Sequence, residues 1–320
     1  MHYQNKMMLR EVLGNLRSYV CNFFTNQRYL VKRSLYENDY AALRNSILSL
    51  PGEVKERYAN ELAYIESMRL DGLGAILFPY KELKSGKPLE NFVAGKEKGL
   101  PFVLHGDYSR LYFPKHTPLR DVVSEYRALV EREGLLGTGI LEKSPHCYQD
   151  GDFKVEQGDV LLDVGCAEAV FALDNIEKVS KVYLFESLPE WRKPLRRTFE
   201  PYADKVVFVP KFVSDRTTGN TITLMDAVKN DRSDGAQYFV KMDIEGCERT
   251  VVKGNADFFT SAKVKLSCCV YHRQDDARVL DEMLKGMGYK TRFSDGYMLP
   301  TMNGIHYPYF RHGVIYAQNF

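Results

Sequence analysis

The chain has 320 residues, 44% hydrophobic and 27% charged, with a formal net charge of +2 at pH 7. That balance suits one large or two moderate cores and argues against nucleic acid as the main partner, which would call for a strongly basic surface. Six cysteines (Cys21, Cys147, Cys166, Cys247, Cys268 and Cys269) lack C-x-x-C spacing, which argues against a zinc site or redox pair, and no run of 18 apolar residues predicts a membrane span.

The polar, tyrosine-rich start carries no apolar leader, so the expected setting is reduced and cytoplasmic. Residues 1–70 read as helical. Leu9, Val12, Leu13, Leu16, Val20 and Phe23 recur at helix-face spacing, as do Leu43, Ile47 and Leu50 before Pro51-Gly52. Ala59, Leu62, Ala63, Ile65 and Met68 form a third helical face. Residues 75–115 read as short strands and loops: AILFPY and PFVLHG are apolar, and KSGKPLENFVAGKEKG between them is turn-rich. Thr117-Pro118 opens a helix, as N-cap and first helical residue, with Leu119, Val122, Val123, Tyr126 and Leu129 on its buried face. SPHCYQDGDF reads as a polar, aromatic connector. The domain boundary falls near residue 140, between a mainly helical unit, 1–140, and a second unit, 141–320.

From about residue 155 the pattern alternates. Strands are predicted at 159–165, 181–186, 205–213, 237–244 and 264–271, and helices at 168–179, 189–200, 247–254 and 275–287. Two further strand-like runs, 289–294 and 311–318, have no clear helix between them, so one runs antiparallel. The predicted fold is α/β: a doubly wound, Rossmann-like, mostly parallel sheet with one antiparallel strand near the C-terminus.

In such a sheet ligands bind beyond the carboxyl ends of the strands. The first strand, in GDVLLDVGCAEAVF, ends in Asp163 and Gly165 and runs through Cys166, Ala167, Glu168 and Ala169 into a helix. The second, in KVYLFES, ends in Glu186 and Ser187, the third in Ser214-Asp215. The fourth ends in Lys241-Met242-Asp243-Ile244-Glu245-Gly246, the fifth in Tyr271-His272. A single glycine at 165–169 and an acid at the helix start disfavour the pyrophosphate of a dinucleotide. A nucleoside with a cationic tail and no phosphates fits better, which is S-adenosylmethionine. Glu186 is then expected to hold the ribose, Asp163 the ammonium of the tail, directly or through water, and Asp215 the adenine amino group. Alternation places Lys241, Asp243 and Glu245 on one side of the strand end.

The second unit resembles the FkbM-type S-adenosylmethionine-dependent methyltransferases over about residues 144–320. The matching stretches are GDVLLDVGCAEAVFAL, VYLFES, FVSD, TLMDAV, YFVKMDIEGCERTVVKG, VYHRQDDARVLDEMLKGMGY and RHGVIYA, with KMDIEGCE the most specific. Members usually carry Gly where this chain has Ala169. The resemblance implies a class I methyltransferase fold and O-methylation of a sugar or other hydroxylated metabolite. The cofactor residues expected are Asp163, Gly165, Cys166, Ala167, Ala169, Glu186, Ser187, Ser214, Asp215 and Asp243. His272 is the first candidate base and Glu245 the second, with Asp243 and Lys241 beside them. A divalent cation on Asp243 and Glu245 is a less favoured alternative. The N-terminal unit would cover the acceptor side or form a homodimer. Two rival readings stand: a nucleotide-linked oxidoreductase, and a non-catalytic nucleoside-binding or scaffold protein that kept the fold.

Overall fold

The computed structural model describes residues 37–68, 78–80, 92–106, 109–132, 144–230, 235–300, 307 and 309–320. The helix expected on Leu9–Phe23 lies outside them. Among the described residues three helices come first: α1 (Glu37–Leu48), α2 (Gly52–Arg57) and α3 (Ala59–Ser67). Their buried residues Ile47, Leu50, Tyr58, Leu62 and Ile65 pack against Leu299 and Phe310 from the other end of the chain.

The segment 94–112, part of which reads as turn in the sequence, is a three-stranded antiparallel sheet of β1 (Ala94–Glu97), β2 (Leu100–His105) and β3 (Ser109–Tyr112). Lys98 and Gly99 both adopt positive φ, 47° and 80°, the two-residue turn that matches strand twist. Without that turn chemistry in view, the short polar run AGKE carries no strand signal. Helix α4 (Leu119–Arg132) follows. Thr117 is buried, yet its hydroxyl has no hydrogen-bond partner, so it does not supply the expected cap.

The large sheet contains β4 (Val160–Val164), β5 (Lys181–Phe185), β6 (Val206–Val209), β9 (Gln237–Met242), β10 (Lys263–Cys269), β11 (Lys290–Phe293) and β12 (Val314–Gln318). Its order is β11-β12-β10-β9-β4-β5-β6. All neighbours among β10, β9, β4, β5 and β6 are parallel, and β12 runs antiparallel to both β10 and β11. This is the doubly wound, mostly parallel architecture expected, with one reversed strand near the C-terminus. The predicted strand 205–213 divides at Pro210, which has no amide to donate, and the Lys211 amide donates back to the Val209 carbonyl. Phe212–Val213, β7, instead pairs with β8 (Thr221–Ile222) in a separate ribbon. The remaining helices are α5 (Val170–Asn175), α6 (Arg192–Thr198), α7 (Leu224–Val228), α8 (Glu248–Gly254), α9 (Ala256–Ser261) and α10 (Asp276–Gly286).

Alternate residues of β4 serve opposite faces. Leu162 and Val164 join one core with Val240, Met242, Val251 and Leu280. Leu161 joins the other, which contains Val170 and Phe171 and also Val103, Leu111, Phe113, Val122, Tyr126 and Val130. Residues on both sides of the expected boundary thus share one core. The boundary itself, near 140, lies outside the described residues. No helix among the described residues is long and apolar enough to cross a membrane.

Candidate active site

The turn after β4 is held from two sides. The amides of Gly165 and Cys166 both donate to the Phe185 carbonyl of β5, at 3.1 and 3.2 Å. Gly165 has φ 75°, and a Cβ there would stand 2.0 Å from the Asp243 carbonyl oxygen. Glycine is thus required by the loop after β9 pressing on the turn. Ala167 and Ala169 also have positive φ, 45° and 61°. An alanine in this region costs on the order of 1 kcal/mol, so the turn is strained at both residues. Cys166 is buried and its thiol pKa is pushed well up by burial, then by the nearby Asp163 and Glu186 charges.

Glu186, one step beyond β5, closes the turn. Its Oε2 accepts from the Ala167 amide at 3.1 Å and its Oε1 from the Leu188 amide at 2.7 Å. Burial raises its pKa against the pull of those two amides. Ser187 follows it, half-buried. Glu168 is buried, and burial lifts its carboxyl to about 7. Glu125 of α4 faces the same region. Burial, then the charges of Asp121 and Glu168, push it to about 8, and its Oε2 has no hydrogen-bond partner.

Asp163 does not reach the ligand edge. Its side chain is 0% exposed, opposite Lys241 in the β4–β9 register, with Lys241 Nζ 3.1 Å from its Oδ1. Burial raises the Asp163 pKa and Lys241 opposes the rise. Lys241 Nζ also donates to the Gly165 carbonyl at 2.7 Å and sits over the Tyr148 ring, 5.2 Å from its centre. The Asp163 carboxylate, expected toward the tail of a ligand, forms a buried ion pair with Lys241 beneath the turn. Parallel pairing sets the two residues side by side, and both sheet faces are covered.

Beyond the ends of β9 and β10 lies a second set of groups. Asp243 Oδ2 accepts from the Tyr148 hydroxyl at 2.9 Å and stands 3.4 Å from His146 Nε2. Asp243 Oδ1 is 3.3 Å from His272 Nε2. His272 Nε2 is also 3.9 Å from Glu245 Oε2, and its Nδ1 is 2.9 Å from Oε1 of the fully buried Glu248. Burial alone would raise the Asp243 carboxyl, but His146, His272 and Lys241 hold it well below the usual range. Burial alone would lower His272, but Glu248, Asp243 and Glu245 push it up to about 10. The histidine expected as a base near neutral pH is therefore enclosed by carboxylates. Glu245 reaches the cluster by a left-handed turn, φ 57°, and not by strand alternation, because β9 ends at Met242. It is 45% exposed, and burial lifts its carboxyl to about 6.

The structure thus brings Gly165, Cys166, Ala167, Ala169 and Glu186 together, and separately Asp243, Glu245 and His272, with Lys241 and Asp163 between the two groups. Ser214 and Asp215 make their contacts elsewhere. The Ser214 carbonyl accepts from Asn255, Asp215 packs on Gly254 at the far end of α8, and its carboxylate turns to Ser214 and Arg216. Sequence reasoning missed His146 and Tyr148, which sit in the connector SPHCYQDGDF. Their signal was two polar rings two residues apart, the spacing that lets both face one side of an extended segment.

No family model matches this chain, and no curated protein matches it. Among solved structures, it is similar to the methyltransferase FkbM from Methylobacillus flagellatus KT, at 19% identity and TM-score 0.39. That likeness covers 51% of this chain and 44% of the other, so it spans less than half of that relative. A precorrin-6y C5,15-methyltransferase from Geobacter metallireducens GS-15 matches at 14% identity and TM-score 0.34, over 52% of this chain and 83% of its own. A Streptococcus mutans chain solved in complex with SAH matches at 11% and TM-score 0.35, over 51% and 90%.

Proposed function

We propose that the chain transfers the methyl group of S-adenosylmethionine to a hydroxyl of a sugar or other small metabolite. One observation carries the reading: Glu186, at the end of β5, is tied through the Ala167 amide to the turn that ends β4. Adjacent strand ends then offer a carboxylate for the two ribose hydroxyls beside a backbone turn, at the edge where such sheets bind ligands. The buried acid Glu168 on that turn suits a cationic ligand and disfavours a pyrophosphate. When bound, S-adenosylmethionine supplies a sulfonium methyl whose C–S bond breaks, its electron pair returning to sulfur, as the acceptor oxygen bonds to the methyl carbon.

The chain's own work is then to position the acceptor and receive its proton. The cluster beyond β9 and β10 does this on the other side of β4 from Glu186. Glu245, its exposed member, takes the place first expected for His272, whose two ring nitrogens both face carboxylates. Asp243 and Glu248 fix the imidazole, and Lys241 with Asp163 anchors the turn. Helix α4, packed on the same core as the turn, borders the acceptor side.

Titration calorimetry tests the reading. S-adenosylmethionine and its demethylated product should bind, and NAD and ATP should not. Glu186→Ala should weaken the cofactor by about 1.5–3 kcal/mol, the scale of charge-assisted hydrogen bonds. An unchanged affinity would remove Glu186 from the site. The left-handed Ala167 and Ala169 favour one second reading, a binding protein that kept the fold. Cofactor binding without turnover across a broad panel of hydroxyl compounds would select it.

A further inference from the structure

We infer that Asp243, Glu245 and His272 form a binding site for a first-row divalent cation, open toward the acceptor. One ligand atom from each residue lies within 4.8 Å of the other two. His272 Nε2 stands 3.3 Å from Asp243 Oδ1 and 3.9 Å from Glu245 Oε2. A cation bound at the usual ~2.0–2.2 Å sets neighbouring ligand atoms roughly 3–3.5 Å apart, so the first distance already fits. The second closes by a small rotation of the exposed Glu245.

Two of the three candidate ligand atoms make no hydrogen bond. The His272 side chain is 7% exposed, and neither its Nε2 nor Asp243 Oδ1 has a hydrogen-bond partner. On the far side of the ring, Glu248 Oε1 lies 2.9 Å from Nδ1 and is itself held by the Ile244 amide at 3.0 Å. A carboxylate behind a histidine is the arrangement that orients an imidazole toward a metal. Three carboxylates, Asp243, Glu245 and Glu248, surround this one ring, an excess of negative charge that a divalent cation would balance.

His146, Asp243 and Cys269 also converge within 4.8 Å. That set is closed: the Tyr148 hydroxyl occupies Asp243 Oδ2, and Cys269 is 0% exposed. Only the first set has an exposed member, and with it room for a further ligand. One imidazole with two carboxylate oxygens suits manganese or zinc better than a thiolate-seeking ion. The site's role rests on the proposed methyl transfer: a hydroxyl entering the open position would be acidified there.

The test uses the full chain, stripped with chelator, dialysed and titrated with Mn2+ under electron paramagnetic resonance. Saturable binding of one equivalent is expected. Glu245→Gln, a substitution at a half-exposed position, should weaken it about tenfold or more, and His272→Gln likewise. Cys269→Ser should leave it unchanged. No saturable binding, an affinity indifferent to Glu245→Gln, or loss on Cys269→Ser would each overturn the assignment. S-adenosylmethionine is titrated on the same preparations. Cofactor binding without cation binding defeats this inference alone, whereas cation binding without cofactor binding leaves the site standing and defeats the methyl-transfer reading.

Discussion

At the scale of single residues, the turn after β4 depends on groups buried beneath it. Lys241 shows this best. It is 6% exposed, its partner Asp163 is fully buried, and it also donates to the Gly165 carbonyl of the turn. Removing one member of a buried pair strands the other charge, at a cost of about 3–5 kcal/mol. Lys241→Met should therefore lower unfolding free energy by about that amount in urea at pH 7. The double variant with Asp163→Leu should recover much of it. A single variant as stable as the parent would show that the pair carries no structural weight. Gly165 acts in the same indirect way, since its missing side chain makes room for the Asp243 backbone.

At the scale of elements, α4 brings a carboxyl against the turn after β4. Glu125 is raised to about 8 from an ordinary value of 4.5, by burial first and by Asp121 and Glu168 next. Between those two pH values the folded chain keeps a proton that the unfolded chain releases. The unfolded state then binds fewer protons, so stability falls as pH rises through this window. Glu125→Gln mimics the protonated form and cannot ionise. Thermal unfolding should show the variant near the parent at pH 5 and more stable than it at pH 8. No gain at pH 8 would mean that the carboxyl stays hydrated and ordinary.

At the scale of the whole molecule, two parts of the N-terminal unit pack on different cores. Residues 94–132 supply Val103, Leu111, Phe113, Val122, Tyr126 and Val130 to the core that also holds Leu161, Val170 and Phe171. Helices α1–α3 meet instead a smaller cluster with Leu299 and Phe310. Deleting residues 1–143 should therefore abolish cooperative unfolding, because it opens a main core to water. Deleting residues 1–68 should lower the melting temperature yet leave a cooperative transition and cofactor binding. Differential scanning calorimetry of the two truncations checks this, and a cooperative fold from 144–320 alone would show that the second unit is independent.

The sequence by itself determined the alternation of strands and helices, the reversed strand near the end, and the acids and glycine at the strand ends. These are local matters: the period of apolar residues, and turn residues with a limited choice of backbone angles. It also placed Asp243, Glu245 and His272 near one another, because parallel neighbours share an edge. Only the tertiary structure decided which of these groups stay free. Asp163 and Lys241 neutralise each other through strand register, and His272 is enclosed by Asp243, Glu245 and Glu248. His146 and Tyr148 enter from a connector about 95 residues upstream of Asp243. Burial and charge pairing depend on what lies across the sheet and over it, and no window of sequence contains both partners.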